Sequence, residues 1–326
     1  MNISIVGAGM AGLLAGRMLQ NTGHEITVSD AAKSLPNNHS AVLRFRTSQI
    51  GDILSVPFKK VKVAKSYAPW MNPVADSMAY SRKTNGVYRS DRSIITTGHE
   101  LNDRFIAPPD LISKMASKLK INYGEVFKPW KGSDPIISTI PMPALMDALG
   151  WKNKPEFGFV HGYNLKAKIK HTDAYCSLYV PSPKFLFNRI SVTGDELIVE
   201  YSFPRASRED VLASYGTWDN DVIAGELNKA FALLGIKEYY ITEADRFIIG
   251  EPELKLQQYS KILPIDEEVR KEFLHWATDE FGIFSLGRYA TWRPGLLLDD
   301  LVKDIRLIDQ WISYPNKYAM KRHRAS

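Results

Sequence analysis

Apolar positions near the N-terminus follow two different periods. Ile3, Ile5 and Val6 mark a short, mostly apolar segment, and residues 25–29 alternate between polar and apolar side chains. Both patterns are typical of buried or half-buried strands. Between them, apolar residues recur at helical spacing over residues 13–19, and Gly23 ends that pattern. The sequence therefore predicts a strand, a helix and a second strand that ends at Asp30.

A Gly-x-Gly-x-x-Gly sequence directly follows the first predicted strand. In such a loop the first glycine permits a tight turn, the second lets the backbone approach a pyrophosphate, and the third lets the helix pack on the strand. The helix N-terminus also presents free N–H groups and partial positive charge to phosphates. A carboxylate at the end of the second strand can accept hydrogen bonds from ribose hydroxyls and disfavours a 2′-phosphate. The predicted dinucleotide site comprises Gly7, Ala8, Gly9, Met10, Ala11, Gly12 and Asp30.

The middle of the chain is rich in predicted strands. Residues 174–180, 185–192 and 196–202 are strand-like runs separated by proline or Gly-Asp, and residues 191–195 predict a hairpin. Apolar residues from 223 to 234 recur at helical spacing. These patterns predict an antiparallel sheet accompanied by helices.

A third pattern lies near the C-terminus. An apolar run over 281–286 ends at Gly287 and Arg288, and apolar residues from Leu297 to Ile312 then recur every three or four positions. The pattern predicts a strand, a turn and an amphipathic helix. An arginine in the turn supplies charge for a diphosphate, and a glycine beside it allows close approach.

These two terminal patterns resemble the FAD-binding motifs of the amine oxidase and UDP-galactopyranose mutase group of flavoproteins. The resemblance covers Ile3 to Leu19 with Gly23 to Val28, and again residues 282–301. The mutases of this group carry Gly-Arg at the closing turn, where the amine oxidases more often have Gly-Asp. The resemblance implies FAD as the cofactor, with Gly287 and Arg288 at its pyrophosphate and ribityl chain.

The resemblance also implies roles for residues outside the glycine motifs. The helix N-terminus near Asp300 and Leu301 would face the pyrimidine edge of the flavin. Val126, on a predicted strand over residues 123–127, would contact the adenine.

The sequence departs from this group shortly after the acidic residue. The group usually has a Gly-Gly-Arg segment there, whereas residues 31–46 contain no glycine pair. Arg44 or Arg46 is expected to do the work of that arginine, and Arg44 is assigned to the cofactor. If the stretch is extended, alternation places both side chains on one face, toward the flavin or an anionic substrate. A surface strand is the alternative.

Further candidates concern the substrate. Arg189 lies in the middle of a predicted strand, where it points to solvent or meets a substrate phosphate or carboxylate. Tyr289 and Trp292 flank the Gly-Arg turn as core aromatics or as walls of the flavin pocket. A flavin carries the chemistry itself, so the sequence requires no catalytic base and identifies none. The residues assigned to the substrate are Arg46, Arg189, Tyr289 and Trp292.

The expected fold class is α/β with a discontinuous FAD-binding domain, because the two FAD motifs lie at opposite ends of the chain. Residues 1–45, 98–150 and 282–326 are assigned to a Rossmann-like FAD-binding domain. Residues 46–97 and 151–281 are assigned to an inserted substrate domain of antiparallel β-sheet plus helices. A second Gly-x-Gly-x-x-Gly is absent from the sequence, so no separate NAD(P)H domain is expected.

Composition excludes only a few classes of protein and site. The chain has 326 residues, 44% apolar and 24% charged, as in ordinary globular proteins, and no apolar run long enough for a membrane helix. One cysteine, Cys176, excludes an internal disulfide and cysteine-based zinc sites, and the histidine spacing suggests no metal site. A cytoplasmic protein is expected. The net charge of +6 lies partly in residues 317–324, expected to be a solvated tail or a weak attraction for an anionic partner.

Four functions are compatible with these features. The expected one is an amine-oxidase-like FAD-dependent oxidoreductase that moves a hydride from a small-molecule substrate to flavin. The first alternative is a redox-neutral, flavin-dependent sugar-nucleotide mutase, which Gly287-Arg288 favours. The second is a phage-encoded flavoenzyme acting on a modified nucleic-acid base, for which the basic tail is the only support. The third is an FAD-binding protein without enzymatic activity. The sequence leaves the oligomeric state open.

Overall fold

Thirteen strands and nine helices lie within the part of the chain that the computed structural model describes, which comprises residues 1–35, 42–69, 72–87, 99–129, 134–204, 206–236 and 248–314. The strands are β1 (Asn2–Val6), β2 (Glu25–Asp30), β3 (Arg44–Phe45), β4 (Lys59–Tyr67), β5 (His99–Ile106), β6 (Lys120–Tyr123), β7 (Ile136–Ser138), β8 (Phe159–Ile169), β9 (Ala174–Tyr179), β10 (Phe187–Gly194), β11 (Glu196–Phe203), β12 (Ile248–Ile262) and β13 (Ile283–Ser285). The helices are α1 (Met10–Asn21), α2 (Gln49–Leu54), α3 (Pro73–Asn85), α4 (Leu111–Ala116), α5 (Met142–Leu149), α6 (Arg208–Tyr215), α7 (Asn220–Leu233), α8 (Glu267–Phe281) and α9 (Leu298–Ser313). None of these described helices is long and apolar enough to cross a membrane.

A five-stranded parallel sheet contains both terminal motifs. Its order is β13-β7-β1-β2-β6, with Ile5 paired to Val28 on one side and to Ile137 on the other. The chain adds strands outward from β1 first toward β6 and later toward β13. Because the chain proceeds from β1 in these two opposite directions, a topological switch point lies between β1 and β7. Open α/β sheets bind ligands outside the carboxyl ends of the strands at such a point. The predicted Rossmann-like α/β architecture is confirmed.

Helices cover both faces of this sheet because successive strand residues point to opposite sides. Ile5 belongs to an apolar cluster with residues of α1, α2, α4 and α9. Its neighbour Val6 belongs to a second cluster with α5 and α8. Both faces of the central strand are therefore covered, which fits its mostly apolar composition of Ile3, Ile5 and Val6.

The second sheet has eight strands in the order β12-β8-β11-β10-β9-β4-β5-β3. Its described neighbours pair antiparallel, as expected, except for β4 and β9, which pair parallel. The predicted hairpin joins β10 to β11 through Gly194, whose φ is +66°. One face of the sheet packs on α6 and α7 through buried residues that include Phe187, Tyr201 and Phe231.

The segments that form each sheet differ from the segments assigned to each expected domain. Strands β3 and β5 lie in the eight-stranded sheet, although residues 1–45 and 98–150 are assigned above to the FAD-binding domain. Conversely, α2 and α8 contribute buried residues to the clusters around the parallel sheet, although 46–97 and 151–281 are assigned to the substrate domain. The reason is that β3 pairs with β5 and β5 with β4, contacts between segments distant in the sequence.

Candidate functional site

The two terminal glycine motifs meet at the carboxyl edge of the parallel sheet. Val6 pairs with Ser138, and Ser138 pairs with Ser285, so three strands end at the same level. A methyl group placed on Gly287 would lie 3.2 Å from the Cβ of Ala11. The fold therefore brings the turn after β13 against the first turn of α1.

The three glycines of the N-terminal loop have different surroundings. Gly7 has φ +104°, and a methyl group there would lie 2.1 Å from Oγ1 of Thr139. A methyl group on Gly12 would lie 1.9 Å from the carbonyl oxygen of Gly7. A methyl group on Gly9, by contrast, would have no atom of the described chain within 4 Å. The fold needs the outer two glycines, whereas Gly9 borders open space.

Backbone donors at the start of α1 border the same space. Gly9 is the N-cap with extended dihedral angles, and no side chain in the described part of the molecule caps the helix. The first N–H groups of a helix have no partner within it, and its N-terminus carries partial positive charge. The loop is consequently suited to an anion.

Asp30 lies beside this loop at the end of β2. Its Oδ2 accepts a hydrogen bond of 2.6 Å from the N–H of Ala8, and its Oδ1 accepts one of 2.7 Å from the N–H of Ala32. Each carboxylate oxygen can accept more than one hydrogen bond. The side chain thus supports the loop and retains acceptor capacity for hydroxyl groups.

Val126 lies outside any strand. Strand β6 spans Lys120–Tyr123, so it ends where the strand expected over 123–127 begins, and the expectation of a strand there is wrong. The N–H of Glu125 still donates to the carbonyl of Asp30, which keeps the chain beside the end of β2. The side chain of Val126 is 71% exposed, and a contact with adenine stays a prediction.

Arg44 points into the eight-stranded sheet. Its guanidinium donates to Oγ of Ser177 at 2.8 Å, to Oγ1 of Thr193 at 2.9 Å, and to the carbonyls of Cys176 and Val192. Burial lowers the pKa of Arg44 to about 10. These contacts join the segment after β2 to β9 and β10, and they occupy the guanidinium that was assigned to the cofactor.

Arg46 takes a different direction from Arg44, contrary to the expectation of a common face. Strand β3 is only two residues long, so the alternation does not extend to Arg46. Its N–H donates to Oδ1 of Asp299 at 3.1 Å, and its guanidinium pairs with Asp300. Arg46 therefore joins the start of α9 rather than the polar side chains that Arg44 contacts.

The N-terminus of α9 combines a polar and a buried residue. Oδ2 of Asp300 accepts a hydrogen bond of 2.9 Å from the N–H of Leu297. Asp300 also lines a cavity of about 340 Å³ together with Leu296 and Trp292. The side chain of Leu301 is buried in the core beside the parallel sheet, so a contact of this side chain with a cofactor stays a prediction.

Tyr289 and Trp292 connect the Gly-Arg turn to β12. The hydroxyl of Tyr289 donates to the carbonyl of Tyr259 at 3.0 Å, and Nε1 of Trp292 donates to the carbonyl of Leu263 at 2.9 Å. Trp292 is 1% exposed and packs edge-on against Phe157 at 4.7 Å between ring centroids. Trp292 is thus a core residue, whereas Tyr289 is only partly buried.

The side of the eight-stranded sheet away from α6 and α7 is polar, and sequence reasoning identified only Arg189 on it. We name it the polar face. Its polar members are cross-strand neighbours or lie two residues from such neighbours: Lys65, Tyr67, Asn164, Ser177, Tyr179, Arg189, Ser191, Glu200 and Ser202. Alternating polar residues within the predicted strands could have indicated that one side of the sheet is polar. Such alternation does not reveal what covers the polar side.

Arg189 is engaged by a carboxylate across the polar face. Its Nη2 lies 2.6 Å from Oε1 of Glu200, and its Nε contacts Oε2 of the same residue. Burial raises the pKa of Glu200, but the charge and hydrogen bonds of Arg189 outweigh it and hold that pKa below its usual value. Arg189 is therefore neither directed to solvent nor free of a partner.

Lys261 on β12 interacts electrostatically with both Arg189 and Glu200. Burial lowers the pKa of Lys261 to about 8, the charge of Arg189 adds to that effect, Glu200 opposes it, and Arg288 lowers the pKa further. The ammonium group makes no hydrogen bond or ion pair with any residue in the described ranges. Sequence reasoning did not identify this residue.

Comparison with solved structures shows similarity over nearly the whole chain. A reduced UDP-galactopyranose mutase superposes with a TM-score of 0.60 at 14% identity, covering 96% of this chain and 95% of that one. A glycine oxidase from Bacillus cereus gives 0.57 at 12% identity, covering 96% and 94%. An L-proline dehydrogenase from P. horikoshii gives 0.50 at 10% identity, covering 95% and 92%. No protein-family model matches this sequence, and no curated protein matches it.

Proposed function

We propose, from the fold that this chain shares with FAD-dependent oxidoreductases and UDP-galactopyranose mutase, that it binds FAD and acts as an oxidoreductase. One observation carries the proposal: the turn at Gly287 lies against the first turn of α1. Motifs from opposite ends of the chain thereby border one space, which Gly9 leaves open. The donors of α1 and the acceptor Asp30 around that space fit a dinucleotide.

Each part of FAD has residues suited to hold it. The N–H groups of residues 9–12 and the guanidinium of Arg288 suit the pyrophosphate, and Asp30 suits a ribose. Val126 is proposed for the adenine, and the backbone at Asp300 and Leu301 for the pyrimidine edge of the flavin. When bound, FAD supplies an acceptor for two electrons. The residues of this chain bind and orient the cofactor and bring the substrate to it.

The proposed reaction is amine-oxidase-like, with hydride transfer from a small substrate. The direct test is the visible absorption spectrum of the purified protein, followed by mass identification of the released cofactor. We expect a yellow protein that releases FAD and whose flavin band bleaches anaerobically with an oxidisable amine. A colourless protein that binds added NAD instead would contradict the cofactor, and no bleaching across a broad amine panel would contradict the reaction.

Replacing Arg288 with alanine should weaken FAD binding about tenfold, the usual loss for a hydrogen bond to a charged group. The matched control is Arg293→Ala, because Arg293 lies in the same loop but pairs with Asp304. FAD affinity is measured by fluorescence titration of the apoprotein, alongside the thermal midpoint of each variant. Equal affinities for wild-type protein and Arg288→Ala would show that the closing motif is misplaced.

The redox-neutral mutase is the second candidate, favoured by the arginine at Gly287-Arg288. A mutase of this type is expected to bind a UDP-sugar only after dithionite reduces the flavin. Calorimetric titration of both redox states with UDP-galactose distinguishes the two functions. Equal binding in both states, or binding in neither, argues against the mutase.

The other two hypotheses gain no support from the geometry. The action on nucleic acid depends on the basic residues 317–324, which lie outside the described part of the chain. A binding protein without activity differs from the proposed enzyme only by failing to bleach with any substrate, so the panels above also test it.

A further inference from the structure

We propose that Arg46 is a positioning residue for the cofactor, which fixes the start of α9 and whose charge raises the reduction potential of the bound flavin. The inference rests on the proposed function, because it takes the start of α9 to border the pyrimidine edge of FAD. It gives Arg46 a role toward the cofactor in place of the substrate role that the sequence assigned to it.

Arg46 holds the first turn of α9 through both its backbone and its side chain. Its N–H donates to Oδ1 of Asp299 at 3.1 Å, and the N–H of Thr47 donates to the same oxygen at 3.3 Å. Its guanidinium pairs with Asp300, and its Nε lies 3.8 Å from Oδ2 of Asp299. The side chain of Asp299 is only 10% exposed, so these donors satisfy a carboxylate that is largely shielded from water.

The segment that carries Arg46 is anchored on two further sides. Arg44 donates to the hydroxyls of Ser177 and Thr193 on the eight-stranded sheet. Phe45 is 2% exposed and belongs to the apolar cluster beside the parallel sheet. Three consecutive residues are therefore attached to three different parts of the molecule. This attachment gives the charge of Arg46 a defined place relative to both sheets.

The start of α9 adjoins the turn that borders the proposed cofactor space. Nε of Arg288 donates to the carbonyl of Leu296 at 3.0 Å, two residues before α9 begins. The preceding residue, Gly287, lies against Ala11 in the first turn of α1. The first turns of α1 and α9 therefore both lie near the Gly-Arg turn. Charges at the start of α9 consequently act on a group that is bound beside that turn.

Arg46 and the two carboxylates that it contacts have opposite effects on a bound flavin. Protein charges near a flavin tune its electronics. The carboxylates of Asp299 and Asp300 oppose added negative charge, and the guanidinium of Arg46 favours it. Arg46 therefore stabilises the flavin that has taken up two electrons and one proton, which carries one more negative charge than the oxidised form. Removal of this cation should lower the reduction potential, and removal of a carboxylate should raise it.

The two sides of the ion pair can be changed separately. Arg46→Gln removes the cation but keeps the backbone N–H that binds Asp299, so the path of the chain is retained. We expect the potential of this variant to fall by about 30 mV, which is a tenfold change in the equilibrium constant of a two-electron couple. Asp300→Asn should raise the potential by a similar amount. The double variant, in which both charges are removed, should have a potential close to that of the wild type.

Two further variants separate the effect of this charge from other changes. Arg306→Gln is the matched control, because Arg306 is an exposed arginine further along α9 and its loss changes the net charge by the same amount. It should leave the potential unchanged. Arg46→Lys keeps the positive charge without the planar guanidinium, so its potential should stay close to that of the wild type.

The measurement is a reductive titration of each purified full-length protein against a reference dye, after its FAD-to-protein ratio has been determined. Equal potentials for the wild type, Arg46→Gln and Asp300→Asn in FAD-containing protein overturn the inference alone. A fall that Arg46→Lys shares, or that the double variant does not reverse, also overturns it, because a displaced helix and not a lost charge would then be the cause.

The FAD content makes the two proposals distinguishable. A wild-type protein that takes up no FAD refutes the proposed function and the inference with it, whereas FAD-containing protein without the expected shifts refutes the inference only. If Arg46→Gln does not fold, Asp300→Asn changes the same ion pair from its other side. A potential of Asp300→Asn at or below the wild-type value then overturns the inference.

Discussion

A Gly9→Val variant is expected to keep the stability of the wild-type protein and to lose FAD. A side chain at Gly9 extends into space without a neighbouring atom in the described chain, so the fold tolerates it. The same side chain would occupy the place proposed for the pyrophosphate. A steric overlap that costs about 3 kcal/mol lowers affinity by about a hundredfold. The measurements are the FAD-to-protein ratio after purification and the thermal midpoint.

Gly12→Ala is the matched control, since it adds a smaller side chain to another glycine of the same loop. Its methyl group would lie 1.9 Å from the carbonyl oxygen of Gly7, within the protein itself. We therefore expect a free energy of unfolding lowered by about 3 kcal/mol or more. A Gly9→Val protein that retains stoichiometric FAD would refute the site, and one that unfolds like Gly12→Ala would refute the open space at Gly9.

The second large effect is expected for Trp292→Ala, which should lower the free energy of unfolding by about 3–5 kcal/mol. The indole is 1% exposed, packs on Phe157 and Tyr259, and donates to the carbonyl of Leu263. Its backbone has φ +46°, a left-handed conformation that costs an L-residue roughly 1–2 kcal/mol. The packing of the ring must outweigh this cost, which is why truncation should be severe.

Equilibrium urea unfolding measures this effect, and Trp292→Phe is its control. The phenyl ring retains part of the packing and loses the hydrogen bond to Leu263, so we expect a loss smaller than that of alanine. A Trp292→Ala protein with wild-type stability and weakened FAD or substrate binding would show that the residue is a pocket wall instead.

Local sequence patterns by themselves determined which strands and helices form near the two ends of the chain. The glycine spacing and the apolar periods predict β1, α1 and β2, and the later spacing predicts β13 and α9, all of which are confirmed. These elements are predictable because each signal lies within one strand, turn or helix, where backbone sterics and periodicity act. The steric role of Gly12, which lies against the carbonyl oxygen of Gly7, follows from the same local geometry, whereas Gly7 lies against Thr139 from a distant part of the sequence.

Only the tertiary structure decided how these segments combine. The pairing of β3 with β5 and the contact of Gly287 with Ala11 join residues far apart in the sequence. Arg44 and Arg46 are separated because each contacts a different distant segment, Ser177 and Asp300 respectively. The charge environment of Lys261 likewise depends on Arg189 and Glu200, which lie on other strands. Strand partners and the burial of polar side chains are set by non-local contacts, which leave no period in the sequence.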